Sequence, residues 1–224
     1  MIRLAWPVLV EQLLVMLVGL VDLWLTGNYL QQSHLAAIGL MSYVLWLLPS
    51  IFGIVAIGAT ALTARFVGAQ NLDAANRVTN QAFVAGAILA IFVTAAVALF
   101  KTQFVQLVQL KSDAGPLAVE YMSVITWIIP AMAVQVVGVA CLRGAGDTLS
   151  GFLAMTAVNV VNIAVGASLV IGLGPFPQIG WTGLAIGTAC GYVTGAAIIL
   201  GLLIAGRWGL RLRWRLMRFD SAWI

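Results

Sequence analysis

Six apolar stretches, each long enough to cross a bilayer, take up nearly all of this chain. A helix needs about 20 mainly apolar residues to span the hydrocarbon core. The stretches that qualify run approximately over Leu4–Leu30, Leu35–Phe66, Val78–Phe100, Leu117–Leu142, Leu149–Ile171 and Gly180–Ala205. Between them lie short polar breaks: Gln31 to His34, Gly68 to Asp73, Lys111 to Pro116, Arg143 to Asp147 and Gly172 to Pro177. Glycine and proline supply the turns. Pro49, with Gly53 and Gly58, is expected to kink the long second stretch. Only 8% of the 224 residues are charged and the mean hydropathy is +1.07, whereas about a quarter of a soluble domain is charged. The reading is an all-α integral membrane bundle, multi-pass in a cell (inner or plasma) membrane. The first apolar segment exceeds a signal-peptide core and no small-residue cleavage site follows it, so it is expected to act as its own uncleaved signal.

Lysine and arginine placement sets the orientation. Arg3, Arg65, Arg77, Arg143, Arg207, Arg211, Arg213, Arg215 and Arg218 fall on one side, and only Lys101 and Lys111 on the other. Both termini should therefore face the cytoplasm, which an even helix count also requires. The net charge of +4 is gathered after the last apolar segment, a membrane-surface pattern rather than a nucleic-acid one. Residues 1–206 read as a six-helix lobe and 207–224 as a basic cytoplasmic connector. On a helix, Trp208, Leu212, Leu216, Phe219 and Trp223 line one face, while Arg211, Arg215 and Arg218 line another. That pattern predicts an interfacial amphipathic helix, serving as a surface connector or as a partner-binding or lipid-sensing element.

Soluble-enzyme chemistry finds no foothold. There is no Walker loop, zinc motif or nucleophile elbow. Cys141 and Cys190 sit in different apolar segments without a Cys-x-x-Cys or Cys/His cluster, so neither a disulfide nor a metal site is expected. His34, the lone histidine, falls in a polar break, where it is either solvated or a titrating group.

The polar groups inside the spans are few. Asp22 lies about 24 Å along the helix from Trp6, in the outer half of the membrane. A carboxylate there costs several kcal/mol without a partner, a proton or water, and such groups mark ion, proton or substrate paths. Glu11 is nearer the cytoplasmic end and can reach the interface or line an inner cavity. Asn159 and Asn162 share a helix face at i, i+3, and Thr156 extends it. They can serve a cation or Asp22, or simply bond between helices. Gln135, between Pro130 and Gly138, is a plausible cavity group. Gly183, Gly187, Gly191 and Gly195 form an i, i+4 stripe for close helix packing, and Thr182, Thr188 and Thr194 can add hydroxyls to a cavity.

Three stretches give the chain a specific likeness. They are Pro7 to Gly27, with Asp22 fifteen residues after the proline; Leu35 to Leu40, with Pro49, Gly53, Gly58 and Arg65 to Gln70; and Leu142 to Thr148, with Val161-Asn162-Ile163 and Gly180 to Thr188. In order and spacing they resemble the multidrug and toxic compound extrusion (MATE) transporters over nearly the whole chain. The resemblance implies one six-helix half of a twelve-helix antiporter that exports organic cations and other amphiphiles against H⁺ or Na⁺. No cofactor is implied beyond the coupling ion. In that family the amino-terminal coupling site uses a first-helix aspartate (Asp22 here), a fifth-helix asparagine (Asn162) and a sixth-helix threonine (Thr188). Asn159 is expected beside them, Gln135, Glu11 and Thr156 are expected in a substrate cavity, and Pro7 matches a first-helix hinge proline.

The chain departs from the family pattern in two ways. Many members carry a second carboxylate where this chain has Gly166. One anionic ligand offsets less of a sodium ion's desolvation, which favours a proton. The chain also stops where a seventh helix would follow, so a second lobe is expected, from the same longer chain or from a second copy. Alternatives are a lipid-linked-precursor flippase and an inactive structural half-transporter. The flippase would need intramembrane arginines for pyrophosphate, whereas every arginine here lies near a helix end. The remaining expected partners are the lipid bilayer and a small organic substrate.

Overall fold

The structure is a computed structural model that describes residues 2–110, 113–173, 175–213 and 216, with side chains from Trp6 onward. The Arg3 side chain and residues Lys111, Arg215, Arg218, Phe219 and Trp223, all used above, lie outside what is described.

Among the described residues there are six α-helices: α1 Ile2–Tyr29, α2 Gln32–Gly68, α3 Leu72–Leu107, α4 Ala114–Gly144, α5 Leu149–Ile171 and α6 Trp181–Ala205. All six are long and apolar enough to cross a membrane. The apolar stretches underestimate α2 and α3, which continue through polar residues at their ends. His34 consequently sits in the first turn of α2 rather than in a solvated loop. It packs edge-on against Trp181 with ring centroids 5.3 Å apart. Helix ends follow capping chemistry. Asn71 accepts a hydrogen bond from the Ala74 amide at 3.0 Å and opens α3. Gly172 (φ 78°) and Gly206 (φ 81°) close α5 and α6 in the left-handed region that glycine adopts without penalty. α2 runs as one helix across Pro49.

Helix α4 is the axle of the bundle. In its most apolar 18-residue window 67% of residues are buried, against 22% in each of α1, α2 and α3. It packs against α2, α3 and α6, while α1 leans mainly on α5. The outward faces are apolar: Trp127, Leu107 and Ile54 are at least three-quarters exposed. On α1, Leu9, Leu13, Met16, Leu20 and Trp24 form an exposed stripe at helical spacing. Such surfaces suit lipid or another apolar lobe.

The glycine stripe on α6 does what small residues do in membranes: it lets backbones touch. A Cβ on Gly187 would stand 2.7 Å from the Cα of Gly166, and one on Gly191 would stand 2.8 Å from the Val158 carbonyl. No flexible side chain can yield at the first contact. Gly187→Ala is therefore expected to push α5 and α6 apart and cost about 1–3 kcal/mol. This would read as a lowered Tm of the purified protein in detergent. Gly58→Ala, which meets nothing within 4 Å, should leave the Tm unchanged. An equal response from both variants would contradict this packing.

Candidate functional site

Asp22 is 1% exposed and is surrounded by donors from three other helices. Thr188 of α6 donates from Oγ1 to Oδ2 at 3.0 Å. Tyr121 of α4 donates to the same oxygen at 3.2 Å. Asn162 of α5 places Nδ2 at 3.5 Å from Oδ1 and donates more closely, at 3.0 Å, to Thr188 Oγ1. Tyr121 Oη and Thr188 Oγ1 are 3.1 Å apart. A threonine hydroxyl has one proton and two lone pairs. Thr188 thus donates a hydrogen bond to Asp22 and accepts one from Asn162, and the Tyr121 hydroxyl lies within reach of both Thr188 and Asp22.

The two carboxylate oxygens are served unequally. Oδ2 has two good donors, whereas Oδ1 has only the long contact from Asn162. The Asn162 carbonyl oxygen, Oδ1, is buried with no hydrogen-bond partner at all. The contacting side chains thus carry one under-bonded carboxylate oxygen and one unpaired amide oxygen. Such oxygens have the chemistry to take a proton or a small cation.

The other sequence-selected residues do not join this network. Asn159 turns its amide to the Leu14 carbonyl of α1 at 3.0 Å and to the Met155 carbonyl at 2.9 Å, about two helical turns along α1 from Asp22. It ties α1 to α5 but does not contact the carboxylate. Gln135 is buried among α4, α5 and α6, donating to Met155 Sδ at 3.6 Å, and its carbonyl oxygen lies where a Cβ on Gly195 would meet it at 2.7 Å. Its expected place in an open cavity gives way to interhelical packing. Thr156 bonds to the Phe152 carbonyl of its own helix at 2.9 Å. Of the three α6 threonines, only Thr188 faces the site. Thr182 donates to Glu120, and Thr194 to the Cys190 carbonyl. Pro7 lies within the first two turns of α1, which continues through it.

Glu11 is buried and pairs with Arg143 in the last turn of α4. Both of its oxygens accept from Arg143 Nη2, at 3.1 and 3.0 Å. The carboxylate rests on Gly151, where a Cβ would come within 2.7 Å of Oε2. This pair pins the amino-terminal half of α1 to α4, against α5. Sequence reading missed both this partner and Tyr121. Glu11 and Arg143 are 132 residues apart. Tyr121 is one hydroxyl on an apolar helix, and its only sequence signal is its place at helical spacing with Ala118, Ile125 and Ile129.

A second ion pair lies in the turn between α4 and α5. Asp147 accepts from the Ser150 amide at 3.0 Å, from Ser150 Oγ at 2.6 Å and from Arg207 Nε at 2.7 Å. Burial pushes this carboxyl up, but Ser150 and Arg207 together outweigh it and hold it below the ordinary carboxylate range. The charged form is the one the fold favours. Its stabilisation is therefore complete above the ordinary range and is lost as pH falls through the lowered value. The Tm deficit of Asp147→Asn should be full near pH 7 and shrink as the pH drops below about 4. A deficit independent of pH would show that charge plays no part.

The six apolar helices thus enclose a carboxylate, Asp22, bonded from three other helices. Comparison with known proteins gives the class of protein. The MatE family model matches residues 7–168, and the chain belongs to that family of multi-pass membrane transporters. It is 28% identical, over 89% of its length, to the probable multidrug resistance protein NorM of Thermotoga maritima, covering 43% of that protein. It is also 28% identical, over 79% of its length, to an FAD transporter of Shewanella oneidensis, covering 39% of it. Its fold matches a crystal structure of MATE in the bent conformation with a TM-score of 0.87 at 24% identity, covering 98% of this chain and 48% of that one. The chain thus spans less than half the length of these relatives.

Proposed function

We propose that this chain is the cation-handling, amino-terminal lobe of a secondary antiporter that exports organic cations and other drug-like or toxic amphiphiles in exchange for H⁺ or Na⁺. The observation that carries this reading is the uneven Asp22 site: Oδ2 held by Thr188 and Tyr121, Oδ1 met only by the long contact from Asn162 Nδ2. A coupling ion needs a place on the carboxylate that the protein has not already filled, and Oδ1 is that place.

The geometry also supports a route from loading to movement. Hydrogen bonds to an ionised carboxylate are roughly twice as strong as neutral ones. While Asp22 is charged, α1 is held to α4, α5 and α6 by such bonds. A proton or cation on Oδ1 weakens them and loosens the outer half of α1. The inner half stays tied through Asn159 to Leu14 and through Glu11 to Arg143, so bending is expected between these anchors and Asp22. Pro7 falls on the far side of the anchors, which would make it an end pivot. With Gly166 in place of a second carboxylate, the lobe offers one anionic ligand, which favours H⁺ over a dehydrated sodium ion. The apolar stripe on α1 and the length of the relatives support a second six-helix lobe as partner, placed in a longer chain or supplied by another copy. The arginines with described side chains lie at helix ends, which weighs against the pyrophosphate-binding flippase alternative.

The test is gradient-driven export of a fluorescent organic cation by the complete transporter in membrane vesicles. Asp22→Asn should bring ion-coupled efflux to background. Tyr121→Phe, which leaves the carboxylate but removes one donor, should retain efflux with a displaced pH profile. Undiminished coupled efflux from Asp22→Asn would overturn the reading.

A further inference from the structure

Over residues 207–213, the described stretch after α6, the chain does not form the amphipathic helix that the sequence predicts. Among these residues, Arg207–Gly209 form a single 3-10 turn, and Leu210 to Arg213 are non-helical, Leu210 being extended. Trp208 (φ 55°) and Gly209 (φ 79°) both sit in the left-handed region and reverse the chain direction. The segment then lies along the first turns of α3, in a regular pattern of bonds.

Asn76 donates from Nδ2 to the Gly209 carbonyl at 3.0 Å and accepts from the Arg211 amide at 2.5 Å. Asn80, one turn on, donates to the Arg211 carbonyl at 2.9 Å and accepts from the Arg213 amide at 2.9 Å. Each carboxamide thus stands in for the peptide group of a neighbouring β-strand. The spacings fit: four residues of helix advance about 6.0 Å, and two residues of strand about 6.6 Å. On the opposite edge the Leu212 amide donates to the Leu203 carbonyl of α6 at 3.3 Å. Side chains alternate as in a strand. Leu210 is fully buried against Ala75 and Leu203, Leu212 is half-buried, and Arg211 and Arg213 are exposed. Below the first rung, Leu72 fills the space beside Gly209, and above, Gln81 donates to the Leu216 carbonyl at 3.0 Å.

We propose that Asn76 and Asn80 form a docking site for extended main chain, and that residues 209–213 occupy it as a strap locking α6 to α3 at the arginine-rich end of the bundle. The bonds read backbone and one buried leucine, so the ligand class is an extended peptide with an apolar residue at the Leu210 position. Side-chain identity at positions 211 and 213 is immaterial to the hold. Neutral hydrogen bonds hold residues 209–213, not the charges of Arg211 and Arg213, and the Arg207–Asp147 ion pair lies before the strap, so its amide hydrogen bonds are indifferent to salt. It also fixes the direction in which any following segment leaves the lobe.

Hydrogen exchange on the full chain in detergent, read by mass spectrometry, tests this. The Arg211 and Arg213 amides should exchange at least about tenfold more slowly than an unstructured peptide, at low salt and at about 0.5 M salt alike. Asn80→Ala should release the Arg213 amide and leave Arg211 protected by Asn76. The Asn76→Ala, Asn80→Ala pair should release both, with α4 amides unchanged and new trypsin cleavage after Arg211 and Arg213. Arg211→Ala with Arg213→Ala should leave the strap in place, reported by the Leu212 amide. The proposal is overturned if the native amides are unprotected, if salt or the arginine variants release the strap, or if Asn80→Ala frees both rungs or neither.

Discussion

A carboxylate sealed inside a bilayer must be given donors, and Asp22 takes its donors from α4, α5 and α6 while standing on α1. That requirement fixes much else. Thr188 can reach Asp22 only if α6 is close to α5 and α1, and the glycine stripe supplies that closeness through the backbone contact of Gly187 with Gly166. Tyr121 can reach it only if α4 runs through the middle of the bundle, where it is the most buried helix. The central charge and the glycine packing are therefore two sides of one constraint.

Polar groups elsewhere obey the same rule at lower stakes. Glu11 meets Arg143 on a glycine shelf, and Asp147 meets Ser150 and Arg207 at the mouth of α5. Asn159 uses its amide on a carbonyl of α1. The Glu11–Arg143, Asp147–Arg207 and Asn159–Leu14 contacts join segments far apart in sequence. Asn159 and Gln135 also keep an unpaired amide oxygen, but only Asn162 stands against the Asp22 carboxylate, which is why the proposed coupling role falls on this pair.

Much of the fold was legible because lipid imposes a simple code: apolar length gives the helices, and arginine placement gives the ends. The pairing of Asp22 with Asn162 and Thr188 came from family likeness; the residues alone left it open. Tyr121 escaped because one hydroxyl barely disturbs the apolar pattern of α4. Glu11 and Arg143 escaped because a pair 132 residues apart leaves no local trace. The described part of the connector, residues 207–213, was misread for a definite reason. Leu210-Arg211-Leu212-Arg213 alternates with a period of two, the strand signature, but the longer run also fits a helical face. Asn76 and Asn80 decide the matter, and nothing in the connector's own sequence announces them.

The central claim is that Asp22 receives the coupling ion on Oδ1 while Thr188 and Tyr121 hold Oδ2. Infrared difference spectroscopy of the carboxyl stretch, recorded as protons or sodium are supplied to the native transporter, measures this most directly. The account predicts a carboxyl band that responds to the ion, shifts in Thr188→Val and vanishes in Asp22→Asn. An ion-induced carboxyl signal that persists unchanged in Asp22→Asn would place the coupling ion elsewhere and contradict it.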